Sequence, residues 1–126
     1  MKLKNNLSAK SSVQEYTSKG FDASQLIEIR KGLDANIDVA KYANINYIDS
    51  VMRLLRELMT FDSEFELDNY VTNGTLKTYE LLRRHMSLVH PHGEITPLSP
   101  SSRKHIISHG PYYVIDKGES SNEISK

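Results

Sequence analysis

The sequence predicts a mainly α fold: a small stacked array of three degenerate long-helix/short-helix units, followed by a short C-terminal helix and one strand-like segment. Three observations carry that expectation. "FDASQLIEIRKGL" at residues 21 to 33 and "YIDSVMRLLRELM" at 47 to 59 pair Phe21 with Tyr47, Leu26 with Met52, Ile29 with Leu55, Arg30 with Arg56 and Leu33 with Met59. A fainter copy follows, in which "FELDNY" at 65 to 70 echoes "IDVAKY" at 37 to 42 and "LLRRHM" echoes "LLRELM". Arginine returns at 30, 56 and 83, a near-constant step, which stacked supersecondary units produce because one helical pair cannot bury its own face alone.

The first long helix is expected to begin at Ala23. Asp22 stands as N-cap, Gln25 completes a capping box, and Leu26 can staple back onto Phe21. Leu26, Ile29 and Leu33 form one apolar stripe, and Gly32 supplies a left-handed stop. Asn36 then caps a short turn of helix whose apolar face is Val39, Tyr42 and Ala43. The unit restarts at Asn46, with Ile48, Met52, Leu55 and Met59 as the second stripe, and this helix runs on to Thr60 or Phe61. After the "TNG" turn Thr75 caps a third long helix with Leu76, Tyr79, Leu82 and Met86 facing inward.

Residues 1–20 read as a flexible or partly helical lead-in, 21–88 as the helical repeat domain, 89–100 as a Pro-rich linker, and 117–126 as a disordered tail. Within 101–116, Ser99 and Pro100 start a short helix that Gly110 stops, and "YYVI" at 112–115 has the strongest strand propensity in the chain. No second convincing strand is visible. The segment therefore pairs with an N-terminal stretch, docks as extended chain on the helices, or adds to another subunit to form a homo-oligomer.

The pattern Q-[LM]-x-E-I-R-x-G-L followed by D-V-x-x-Y-A, carried by Gln25, Glu28, Ile29, Arg30, Gly32, Leu33, Asp38, Val39, Tyr42 and Ala43, resembles degenerate tandem helical repeats in proteins of phages, conjugative elements and genomes of Gram-positive bacteria. The resemblance spans residues 21 to 59 well and 65 to 86 weakly. It implies a helical scaffold in a mobile-element context and brings no activity with it.

Composition narrows the function classes. With 126 residues, 38% apolar and 8% aromatic, the chain can form one small domain with a modest core. There is no cysteine, so disulfides and thiolate metal sites are excluded. No run reaches membrane-spanning length and the start lacks a signal-peptide core, so a cytoplasmic protein of a bacterial host with no membrane partner is expected. The zero net charge splits unevenly: residues 1–20 carry +3, residues 21–70 carry −5 and residues 71–126 carry +2. An acidic middle suits a basic partner better than it suits nucleic acid.

Two surfaces are candidates for function. The acidic, aromatic stretch "TFDSEFELD" offers Asp62, Glu64, Phe65, Glu66 and Asp68 for binding a host or phage protein. Lys77, Arg83, Arg84, Arg103, Lys104 and His105 could converge into a nucleic-acid patch, with Ser101 or Ser102 near a helix start to help hold a phosphate. His85, His90, His92, His105 and His109 fit no zinc signature, and an acid–base role for His90, His92 and Glu94 lacks a nucleophile, so neither a metal, a cofactor nor catalysis is expected. The leading expectation is a non-enzymatic protein-binding module of a phage or mobile element, acting against a host defence nuclease such as a CRISPR effector. The alternative is a small nucleic-acid-binding accessory protein.

Overall fold

A computed structural model describes residues 13–89 and 95–114 of the chain. The tail expected at 117–126, and His90, His92 and Glu94, fall outside those residues. The fold is mainly helical, with one small antiparallel hairpin. In chain order the elements are α1 (residues 13–18), α2 (Ala23–Asp34), a 3-10 turn (Val39–Lys41), α3 (Asp49–Phe61), a second 3-10 turn (Leu67–Tyr70), strands β1 (Val71–Thr72) and β2 (Thr75–Leu76), α4 (Thr78–Val89) and α5 (Pro100–Ser108).

Helix α2 starts where its capping box places it. Asp22 Oδ1 accepts the Gln25 N–H at 2.8 Å and Gln25 Oε1 accepts the Asp22 N–H at 2.9 Å. The stop differs from expectation: α2 continues through Gly32, and Asn36, at φ 62°, is the left-handed residue that ends it. The Ile37 N–H donates to the Gly32 carbonyl and the Asn36 N–H to the Leu33 carbonyl, which is the Schellman arrangement. Gly32 is needed for space instead. A Cβ there would lie 2.6 Å from Val39 Cγ1 and nearer still to the Tyr42 hydroxyl, which donates 2.6 Å to the Glu28 carbonyl. With Asn36 ending α2, it is Asp38 that caps the 3-10 turn, accepting from the Ala40 N–H.

Helix α3 begins at Asp49, three residues after the expected restart at Asn46, because the Asn44 side chain first holds the Asn46 N–H in a turn. It ends at Phe61, within the expected range. Helix α3 packs against α2, α4 and α5, so its buried surface is wider than one stripe and takes in Val51, Met52, Leu54, Leu55 and Leu58. Each such side chain contributes about 1.5–3 kcal/mol on full burial.

The third unit departs most from expectation. Thr75 lies in β2 and caps no helix: "VTNGTL" forms a hairpin whose turn residues Asn73 and Gly74, at φ 53° and 76°, make a type I′ turn. Helix α4 begins only at Thr78, which rotates its inward face to Leu81, Leu82 and His85 and leaves Tyr79 64% and Met86 47% exposed. The segment at 112–114 does find a partner within the chain. Tyr113 bridges Thr75, the Leu76 N–H donates to the Tyr112 carbonyl, and the Val114 N–H donates to the Gly74 carbonyl. Asn44 covers part of its outer side by donating to the Tyr113 carbonyl. The Tyr112 ring enters the core and its hydroxyl donates to the Ile106 carbonyl; burial pushes its pKa up to about 12. Helix α5 opens as expected, with Ser99 accepting the Ser102 N–H and Pro100 in the first turn. Among the described residues no helix is long and apolar enough to cross a membrane.

Candidate protein-binding site

The acidic stretch begins where α3 ends. The Asp62 N–H donates to the Leu58 carbonyl, and Asp62 then turns the chain by accepting the Glu64 N–H on Oδ1 and the Phe65 N–H on its carbonyl. Its carboxylate also accepts from Arg84 Nε and, at 3.2 Å, from Arg84 Nη2. Arg84 Nη1 donates 2.9 Å to the Tyr70 hydroxyl, and the Tyr70 ring packs on Phe65 with centroids 5.4 Å apart. The Asp62 hydrogen bond and then that of Tyr70 raise the Arg84 pKa, so this cation stays charged. Asp62 and Arg84 therefore act as a clamp that sets the geometry of the loop.

Beyond the clamp lies a cleft of about 310 Å³. Its apolar lining is Met59, Phe65 and Leu67, with Glu66 and Asp68 contributing carboxylates and Lys41 also part of the wall. Glu64, Glu66 and Asp68 are exposed, whereas Phe65 is half-buried and Leu67 buried. Of the five acidic-aromatic candidates, Phe65, Glu66 and Asp68 share the cleft, Glu64 stands outside its lining, and Asp62 serves the loop. An apolar trough rimmed by carboxylates matches the methylene stem and charged head of a lysine or arginine.

The basic candidates are directed at different partners. Lys77 pairs with Glu80 at 3.4 Å, Arg84 with Asp62, and Arg103 Nη1 donates 2.8 Å to the Leu98 carbonyl. Arg83 and Lys104 are exposed, and the His105 ring lies tilted against His109 with centroids 4.0 Å apart. His85, read with the Arg83–Arg84 cluster and among the metal-ligand candidates, is 2% exposed, and its Nε2 lies 2.6 Å from Glu57 Oε1. Among the described residues no group of three His, Cys, Asp or Glu could hold a metal ion.

That His85–Glu57 contact belongs to a largely buried ionic network, in which Arg56 reaches Glu28 and Glu57, the acidic neighbours expected of a repeat arginine. Glu57 also accepts from Arg53 Nε at 3.2 Å and lies 3.6 Å from Arg56 Nη2, while Arg56 Nε donates 2.8 Å to Glu28. Burial alone would raise the Glu57 carboxyl, but the His85 hydrogen bond and the Arg53 charge outweigh it and hold the group below its ordinary value. An ionised carboxylate only accepts, so His85 Nε2 carries the proton. The Arg53–Glu57 spacing of four residues was a visible signal; the return of His85 on a different helix was not. The repeating arginines part company here, since Arg56 is paired while Arg30 and Arg83 are exposed.

Comparison of the chain with protein-family models, curated proteins and solved structures finds no match.

Proposed function

We propose that the protein is a non-enzymatic binding module that grips a basic segment of a protein partner in the cleft between the end of α3 and the second 3-10 turn. The observation that carries this reading is the coincidence of an apolar trough at Met59, Phe65 and Leu67 with carboxylates at Glu66 and Asp68, held by the Asp62–Arg84 clamp. A surface of scattered acids would attract cations without selecting among them; the trough adds apolar contact for a side-chain stem. The nucleic-acid alternative has weaker support, because Lys77, Arg84 and Arg103 are committed to partners within the chain.

The repeat reading belongs to the same proposal. Ile29, Leu55 and Leu82, which align in the three copies, are all buried, and the aligned segments around Val39 and Leu67 both form 3-10 turns. The unequal arginines and the hairpin before α4 mark how far the copies have diverged. With the pattern around Gln25 to Ala43, this supports a mobile-element scaffold whose partner is a host protein, a defence nuclease being the expected kind.

The reading is tested with fluorescent Lys-rich and Glu-rich peptides of equal length. Anisotropy should rise only with the Lys-rich peptide, and Glu66→Lys with Asp68→Lys should weaken that binding at least about tenfold, since two attractive contacts become repulsive. Equal binding of both peptides, or no effect of the double reversal, sinks it.

A further inference from the structure

A second cavity, distinct from the acidic cleft, lies between α4 and the segment that leads into α5. It measures about 240 Å³, and among the described residues its walls are Leu82, Met86, Val89, Pro97 and Leu98, with the polar His85 and Arg103. The network above uses His85 Nε2, which donates to Glu57. The other ring nitrogen, Nδ1, has no hydrogen-bond partner among the described residues. Those residues also contain no fully buried side-chain nitrogen or oxygen without a partner. Nδ1 must therefore keep some access to open space, and the space that His85 borders is this cavity.

A ring nitrogen open to the cavity and unpaired among the described residues is placed to take a hydrogen bond from a ligand. We propose that this cavity binds a small phenol, its ring among Leu82, Met86, Val89 and Leu98 and its hydroxyl on His85 Nδ1.

Size, shape and polarity each limit the occupant. An apolar cavity of about 150 Å³ already admits benzene, so this one takes a single ring with a short substituent. Met86 offers a thioether of the kind that packs well against aromatic rings. A hydroxyl both donates and accepts, so it satisfies Nδ1 whether that nitrogen presents a lone pair or a proton. Arg103, held by the Leu98 carbonyl, adds a cation that favours an oxygen-bearing, partly acidic ligand over a hydrocarbon or an amine. The same phenol could arrive as a free small molecule or as a tyrosine side chain; the cavity volume, about that of one substituted ring, favours the free molecule.

The test titrates the wild-type protein with para-cresol, toluene and N-acetyltyrosinamide, following the Met86 methyl and His85 ring signals by NMR. Para-cresol should shift both signals saturably with a Kd on the order of 1 mM or tighter, as the ligand's size allows. Toluene, which lacks the hydroxyl, should bind about tenfold more weakly, one hydrogen bond's worth. N-acetyltyrosinamide should also bind about tenfold more weakly, because its backbone does not fit. Met86→Trp, at a half-exposed wall position, should fill the space and weaken para-cresol at least about tenfold with the circular dichroism spectrum retained. Absence of saturation, equal affinity for toluene, or tighter binding of N-acetyltyrosinamide overturns the proposal. The wild-type series decides it even where the Trp variant does not fold, and it is independent of the Lys-rich peptide assay.

Discussion

Replacing Gly32 with alanine isolates the contact that brings the first 3-10 turn onto α2. In a solvated helix the change would help, since alanine is favoured over glycine by about 1 kcal/mol. Here the new methyl would stand 2.6 Å from Val39 Cγ1 and closer to the Tyr42 hydroxyl, both on buried residues with little room to yield. Overpacking of a tight core costs about 1–3 kcal/mol, and displacing the Tyr42 hydroxyl from the Glu28 carbonyl adds about 0.5–1.5 kcal/mol. The balance is a net loss of about 0.5–3.5 kcal/mol. With a urea m-value of about 1–3 kcal/mol/M, the midpoint should fall by about 1 M, measured by circular dichroism at neutral pH. Tyr42→Phe deletes the hydroxyl, so Gly32→Ala should cost less in that background, with a coupling of about 1 kcal/mol or more. A Gly32→Ala protein as stable as wild type with an unchanged m-value refutes the close approach, and so does strict additivity with Tyr42→Phe.

Three further outcomes are expected. Glu57→Gln should cost about 3–5 kcal/mol at neutral pH, because it leaves buried His85 and half-buried Arg53 without their carboxylate. Since the folded-state carboxyl sits below its ordinary value of 4.5, its contribution is present above that pH and lost as pH falls through the folded value. Urea midpoints between about pH 7 and pH 3 should therefore decline more steeply for wild type than for the Gln variant, and parallel slopes would contradict the assignment. Hydrogen exchange should protect the Leu76 and Val114 amides, which bond across the 112–114 segment; a Val114 amide exchanging at the free rate would undo the intramolecular pairing. A double-mutant cycle of Arg84→Ala with Asp62→Ala should give a coupling near about 1 kcal/mol, the upper end for partly exposed pairs, and none at all would remove the clamp.

Part of the candidate site was legible from the residues alone. "TFDSEFELD" announces an acidic, aromatic loop, and Phe65, Glu66 and Asp68 do share one cleft. That Asp62 is spent on Arg84 was hidden, because the two lie on opposite sides of a hairpin that the chain builds between them. The "NG" pair at 73–74 is a hairpin signal as well as a turn signal, and the hairpin it builds defers the start of α4 to Thr78 and so rotates its buried face.

Local chemistry settled what lies within a few residues. The Asp22–Gln25 box and the Ser99–Pro100 start bring both partners of each bond on one short stretch, so the sequence by itself determined where α2 and α5 begin. The recurring apolar positions likewise determined that Ile29, Leu55 and Leu82 face a core. Tertiary structure decided everything that needs a distant partner: the space that keeps position 32 a glycine, the docking of Tyr112 and Tyr113, and the meeting of Glu57 with His85. Helical and strand periods constrain which residues share a face of one element. They hold no information about which face of another element will meet it, and the close approaches and buried charges of this protein depend on that meeting.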